Sequence, residues 1–399
     1  TNIAPRPQFL LPEAYAKLRW RKWELMAGRE REVLGIVDST LSTGSYSWSG
    51  NALPIPRIKL GLSEYVSLGF LKNFVAIKGF YVHGWYDNPY IQGAYFHQKT
   101  LYGRFGKPEA KIHLHLGLVH NAVWGGSADY LRDNPVAVDG KLTTSLGDYL
   151  TGVVLGMIPK DRANDRFTEF DGTNRVGNHV GHYDMALDWK LPAMKLLIYR
   201  QHPFEDASGL QIQNLPDGLY GLSLRREETF ASFFSWKGIV VEYLTTLDQS
   251  GDSFDLTGSR FKGLDNYFNH AQYREGWSYR GRGVGTPFIP SRTEVAGTIA
   301  PTGEYFPSNR VEVYHLGLEG VLVQKIRLLA KLSYSRNFGT INVPFAPPLG
   351  QVSSILAFEA PFSRWGSTRL RGQLAYDRGG LYPEAFGGYL GIRSDFGKK

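Results

Sequence analysis

The stretch Lys111-Ile-His-Leu-His-Leu-Gly-Leu-Val-His120 decides the fold class. Ile112, Leu114, Leu116 and Leu118 alternate with His113, His115 and Gly117, so an extended chain sorts them onto one apolar and one polar face. The pattern returns at His182 to Leu191, where Tyr183, Met185, Leu187, Trp189 and Leu191 oppose His182, Asp184, Ala186, Asp188 and Lys190. At Lys325 to Tyr334, Ile326, Leu328, Ala330, Leu332 and Tyr334 oppose Lys325, Arg327, Leu329, Lys331 and Ser333. Near the end, Leu370, Gly372, Leu374 and Tyr376 oppose Arg369, Arg371, Gln373 and Asp377. Apolar faces that recur along a whole chain suit lipid, and polar faces rich in cations suit a lumen.

Further alternating segments continue from Glu13 to Trp20, Trp23 to Arg29, Val75 to His83, Leu150 to Met157 and Ile239 to Thr245 to Tyr389 to Phe396. The sequence has no run of about 18 apolar residues, which excludes a membrane-spanning helix. Transmembrane strands of about 9–11 residues with equal allowance for connections give on the order of 16–20 strands. The predicted fold is therefore all-β: a transmembrane antiparallel outer-membrane β-barrel of about 18 strands. No linker or composition break interrupts residues 1–399, so a single domain is expected. A soluble all-β fold is the rival, since alternation alone does not name the solvent on the apolar face.

Composition agrees with the barrel. There are 23 Phe, 23 Tyr, 9 Trp and 46 Gly, against 4 Met and no Cys. Tyr and Trp suit membrane interfaces, and Gly suits tight turns. The lack of Cys removes disulfides and thiolate metal sites and suits passage through an oxidising compartment. The formal net charge of +8 points to an anionic partner. For a barrel, the expected partners are outer-membrane lipid and lipopolysaccharide, an acidic surface polysaccharide and other outer-membrane proteins, not nucleic acid. Thr1 to Pro5 show no basic segment leading an apolar one, so a cleaved signal peptide is expected to have preceded them.

Three stretches resist strand assignment: Val37 to Pro56, Ala163 to Gly177 and Ser259 to Gly303. Long connections belong to the extracellular side of such barrels, and here they are expected to occlude the lumen. Within the third, Gly263 to Glu275 is predicted as a short helix, and residues 263–287 as a long loop or plug.

Parts of these stretches resemble a known family. Leu41-Ser-Thr-Gly-Ser-Tyr-Ser-Trp-Ser-Gly-Asn-Ala-Leu-Pro-Ile-Pro56, His115-Leu-Gly-Leu-Val-His-Asn-Ala-Val-Trp-Gly-Gly126 and the segment Asp265 to Pro287 resemble Wzi-type capsule assembly proteins, especially the branch common in Bacteroidetes. The resemblance implies an outer-membrane barrel of about eighteen strands that binds surface polysaccharide and helps attach capsule. An accessory subunit of a larger envelope or secretion complex is the first alternative, and a porin the second.

Asp265 to Pro287 is the leading ligand segment. It combines aromatics (Tyr267, Tyr273, Trp277), acid and amide groups (Asp265, Asn266) and cations (Arg274, Arg280, Arg282). Aromatic faces pack on sugar C–H surfaces while planar polar groups take hydroxyls. The same residues read somewhat better as a structural plug, with Gly281, Gly283 and Gly285 tightening it. Lys325, Arg327, Arg369 and Arg371 add a basic inward face fit for carboxylate or phosphate, or for pairing with wall carboxylates such as Glu319 and Asp377. His113 and His115 share a face, yet no acidic residue in the segment completes a metal site, so hydrogen bonding to neighbours is expected. The sequence contains no G-x-S-x-G, H-E-x-x-H or P-loop, and no cofactor or enzymatic role is expected.

Overall fold

The alternating segments form one antiparallel meander in a computed structural model, which describes residues 11–132, 137–156, 176–205, 209, 212–226, 232–251, 263–362 and 368–394. The strands are β1 (Ala14–Trp20), β2 (Trp23–Arg29), β3 (Arg57–Leu62), β4 (Val66–Ser67), β5 (Val75–Asn88), β6 (Ile91–Phe105), β7 (Ile112–Trp124), β8 (Asn178–Lys190) and β9 (Met194–Phe204). They continue as β10 (Gly218–Arg226), β11 (Phe234–Thr245), β12 (Ser278–Tyr279), β13 (Arg282–Gly283), β14 (Val311–Leu322), β15 (Ile326–Gly339), β16 (Pro344–Pro361), β17 (Thr368–Gly379) and β18 (Ala385–Ser394). The sheet has 16 strands, each paired with the next long strand in sequence; β4 pairs off the path with β5, and β12 with β13 form a separate pair. Among the described residues, β1 and β18 are the two ends of the path, with no pairing between them.

Register turns alternation into two surfaces, because directly paired residues share a face. One row runs Leu114, Leu187, Ile198, Leu222, Val241, Leu316, Leu332 across β7 to β11, β14 and β15. Apart from the half-buried Leu187, every member is exposed. The next row reads His115, Ala186, Tyr199, Gly221, Glu242, His315, Ser333, Ser353 and Asp377. It points inward and is hydrogen-bonded there: Tyr199 donates to Glu242 at 2.6 Å, and His315 Nδ1 lies 2.7 Å from Ser333 Oγ. A wall that is apolar outside and polar inside is stable only with lipid around it.

A row of Tyr220, Tyr243, Tyr314 and Tyr334 borders the apolar band at one end, while Phe234 and Trp189 stand exposed at the other. From Phe234 to Tyr243 is roughly 30 Å of strand at about 3.3 Å per residue. Tilted by about 35°, it spans roughly 25 Å, the height of a lipid-facing band.

The connection 30–56 and the described residues 246–251 and 263–310 turn inward and fill the lumen. Tyr46, Tyr267, Phe268, Trp277, Ile289 and Phe306 are wholly buried there, with Trp48 stacked 5.3 Å from the wall residue Phe96. Wall polar groups hold the first connection. Gln201 Oε1 accepts from the Tyr46 amide at 2.8 Å, His182 Nδ1 meets Ser47 Oγ at 2.8 Å, and His315 Nε2 meets the Leu41 carbonyl at 2.7 Å. Gly317 makes that crossing feasible, since a Cβ there would lie 2.6 Å from the Leu41 oxygen.

Three local expectations change. Leu150 to Met157 is not a strand: Leu146–Asp148 and Tyr149–Val154 form a short helical turn that buries Tyr149 and Val153 beside Trp124, and residue 157 lies outside the described residues. Gly263 to Glu275 is irregular, not helical: the Tyr267 hydroxyl donates to Asp217 and the Phe268 amide to Glu205, partners outside the segment that replace bonding along a helix. Lys325 lies in the β14–β15 turn, not on a strand, since Val323 and Gln324 take left-handed conformations (φ 45° and 59°) and reverse the chain. Most of the stretch Ala163 to Gly177 lies outside the described residues.

Candidate functional site

Strand order separates the sequence-predicted residues into two ends. The connections 21–22, 63–74, 106–111, 191–193 and 323–325 lie at one end, and 30–56 with the described parts of the connections after β7 and β11 at the other. Long loops mark the extracellular end of such barrels. Asp265, Asn266, Tyr267, Tyr273, Arg274, Trp277, Arg280 and Arg282 belong to that end. Lys325, Arg327, Arg369 and Arg371 sit beside the short turns at the opposite end.

Within the cap, the predicted residues divide again. Trp277 Nε1 donates to the Ser47 carbonyl at 2.8 Å, Tyr267 to Asp217 at 2.8 Å and Tyr273 to the Gly125 carbonyl at 3.1 Å, all three being buried. Asp265 accepts from Ser250 at 2.7 Å, and Asn266 donates to Glu304 at 3.0 Å. These five side chains tie the cap together. Arg274, Arg280 and Arg282 are exposed.

Two of these arginines, and the exposed Arg292, lie on aromatic rings. The Arg274 guanidinium carbon is 4.0 Å from the centre of Tyr130, and Arg280 is 5.8 Å from Tyr279. Arg292 spans Tyr90 (5.6 Å) and Tyr305 (5.0 Å) and bonds the Tyr90 hydroxyl. Between them sits Glu275, 6% exposed, whose Oε2 has no hydrogen-bond partner among the described residues. Burial raises its carboxyl to about 7 against the opposing pull of Arg292. Burial also lowers His270 to about 4 and raises Asp217 to about 6, the latter despite donors from Tyr267 and the amides of Asp248 and Gln249. Tyr90, Tyr130, Glu275, Arg292 and Tyr305 come from three separate connections, so no local motif announces them.

At the other end, Arg371 and Arg369 both bond Glu359, each at 2.7 Å, and Arg327 bonds Glu319 at 2.5 Å. Their side chains stay 39%, 55% and 47% exposed. Lys325 is exposed in its turn. His113 meets the Lys107 carbonyl at 2.9 Å and His115 the Tyr65 hydroxyl at 3.2 Å. Among the described residues no cluster of His, Asp or Glu is arranged to hold a metal ion.

No protein-family model and no curated protein sequence matches the chain. Among solved structures it is similar to Wzi of Escherichia coli, described as an outer membrane protein involved in group 1 capsule assembly and a carbohydrate-binding β-barrel. The match covers 95% of this chain and 68% of that one, with 15% identity and a TM-score of 0.58. BamA of Haemophilus ducreyi lacking POTRA domains 1–3 matches more loosely, over 84% of this chain and 62% of that one, with 12% identity and a TM-score of 0.39. The fold of this chain is that of a Wzi-like bacterial outer-membrane β-barrel, with an occluded lumen and an apolar wall set for lipid.

Proposed function

We propose that this chain is a non-enzymatic outer-membrane barrel that binds surface polysaccharide on its long-loop face. The observation that carries the reading is the set of exposed arginine–tyrosine stacks: Arg274 on Tyr130, and Arg292 on Tyr90 and Tyr305. Stacked guanidiniums keep their edge N–H donors for carboxylate, phosphate or hydroxyl oxygens, while neighbouring ring surface packs on sugar C–H groups. Arg280 and Arg282 extend the same basic surface. The filled lumen beneath disfavours a porin, because Trp48, Trp277 and Phe306 occupy the path a solute would take.

The fold likeness to a carbohydrate-binding barrel is consistent with this reading. Binding is tested by incubating detergent-purified protein with glycan released from the producing cells. Wild-type protein is expected to retain glycan, and R274Q/R280Q/R282Q/R292Q to lose at least about tenfold in affinity, since hydrogen bonds to charged groups are each worth about 1.5–3 kcal/mol. Equal retention by both proteins contradicts the proposal.

A further inference from the structure

We propose a second, separate binding site: the lumen wall of β15 to β18 beside the short turns takes an anionic sugar unit, one bearing a carboxylate or a phosphate. The inference rests on the polysaccharide reading for the class of its ligand alone.

Pairing lays Arg327, Glu359 and Arg371 side by side on one inward row. Arg369 and Arg393 face each other on the adjacent row. Glu359 is the carboxylate of the row and is shared by Arg369 and Arg371, so the group carries surplus positive charge. Donor geometry leaves capacity as well. Arg371 and Arg327 form their ion pairs through Nε, and their terminal amino groups have no recorded acceptor among the described residues. An arginine carries five N–H donors in a planar fork that matches a carboxylate or phosphate edge.

An aromatic surface adjoins these cations. Tyr389 is 62% exposed and pairs with Gln373, on the same inward face. Its hydroxyl lies over Gly391, where a Cβ would come within 2.1 Å of it, and Gly391 is the partner of Arg371. Ring, amide and guanidinium therefore stand within one patch that faces the lumen. A purely structural ion pair has no need of this exposure. Arg57, on the same barrel's inner wall at β3, is wholly buried against Glu32.

The test uses the full chain in detergent micelles and titration calorimetry with three probes: hexagalacturonate, tripolyphosphate and neutral maltohexaose. Binding of either anion, with maltohexaose at least about tenfold weaker, is expected. R369Q/R371Q should weaken the anion at least about tenfold, while E359Q, which keeps every arginine and removes the competing carboxylate, should tighten it. Y389A should weaken hexagalacturonate and leave tripolyphosphate unchanged, and preference between the two anions names the acidic group. Failure of both anions to bind, or unchanged affinity in R369Q/R371Q or E359Q, overturns the site. The cap variant R274Q/R280Q/R282Q/R292Q separates the two proposals. It should leave probe binding at the lumen wall intact, and loss of that binding in the cap variant would overturn the second site in favour of the first.

Discussion

Arg57 and Arg371 both line the inside of the same sheet, yet their surroundings differ. Arg57 is buried between Trp48, 5.1 Å from its guanidinium, and the Glu32 carboxylate, which it meets at 2.6 Å. Arg371 shares one carboxylate with a second arginine and stays 39% exposed. The difference follows the inserted connections. Where residues 30–56, 246–251 and 263–310 pack on the wall, inward polar groups become part of a core; along β15 to β18 beside the short turns, nothing among the described residues packs on them. One lumen thus holds a structural half and a solvent-facing half, and of these two inward wall arginines only Arg371 is open to solvent.

The largest expected effect comes from the structural half. Trp277→Ala should cost about 3–5 kcal/mol, and it leaves the Ser47 carbonyl without its donor. Denaturant unfolding followed by heat-modifiable gel mobility would measure the loss, and planar-bilayer conductance should rise as the plug loosens. An unchanged midpoint together with an unchanged conductance would erase the contrast between the halves. Next comes the wall. Leu332→Arg places a charge on the lipid face and should cost about 2–4 kcal/mol if near the midplane. Gln373→Arg, facing the lumen, should shift stability by no more than about 0.5 kcal/mol.

Asp38 anchors the deepest point of the first connection. Burial pushes its carboxyl up, but hydrogen bonds from Arg225, Ser223 and the Leu41 amide outweigh that and hold it well below the usual carboxylate range. A depressed carboxyl contributes stability above its unfolded value near 4, and that contribution fades as pH falls toward the folded value. Asp38→Asn should therefore lose about 1.5–3 kcal/mol at neutral pH and show a flatter acid limb in urea titrations.

Glu275 gives a pH response of the opposite sign. Its carboxyl, raised by burial to about 7, binds a proton on folding between about pH 4.5 and 7, so cap stability should fall as pH rises through that window. Hydrogen exchange of residues 263–310 at pH 5.5 and pH 8 should show slower exchange at the lower pH. In Glu275→Gln that difference should shrink to the part contributed by Asp217, whose carboxyl burial raises to about 6, and an undiminished difference would assign the whole response to Asp217 or another group.

Much of the barrel was legible because period-two alternation survives in strands such as β7, β8 and β14. The faces read from Ile112, Leu114 and Leu116, or from Tyr183 and Met185, are the faces observed. Leu150 to Met157 misled for a physical reason: a short apolar run does not distinguish a strand from a helical turn packed on Trp124. Lys325 misled because alternation continues smoothly into a tight turn. The site was less legible. Tyr90, Tyr130 and Arg292 meet only because separate strands end at the same rim, and the remoteness of Arg371 from Arg282 follows from which end each turn occupies, a property of topology and not of residue type.

The most direct measurement is native extraction of the protein from outer membranes in mild detergent, with mass spectrometry of the glycans and proteins that accompany it. Acidic glycan in constant proportion to the barrel is the predicted result. Stoichiometric partner proteins without glycan would contradict polysaccharide binding and make this barrel a subunit of an envelope assembly.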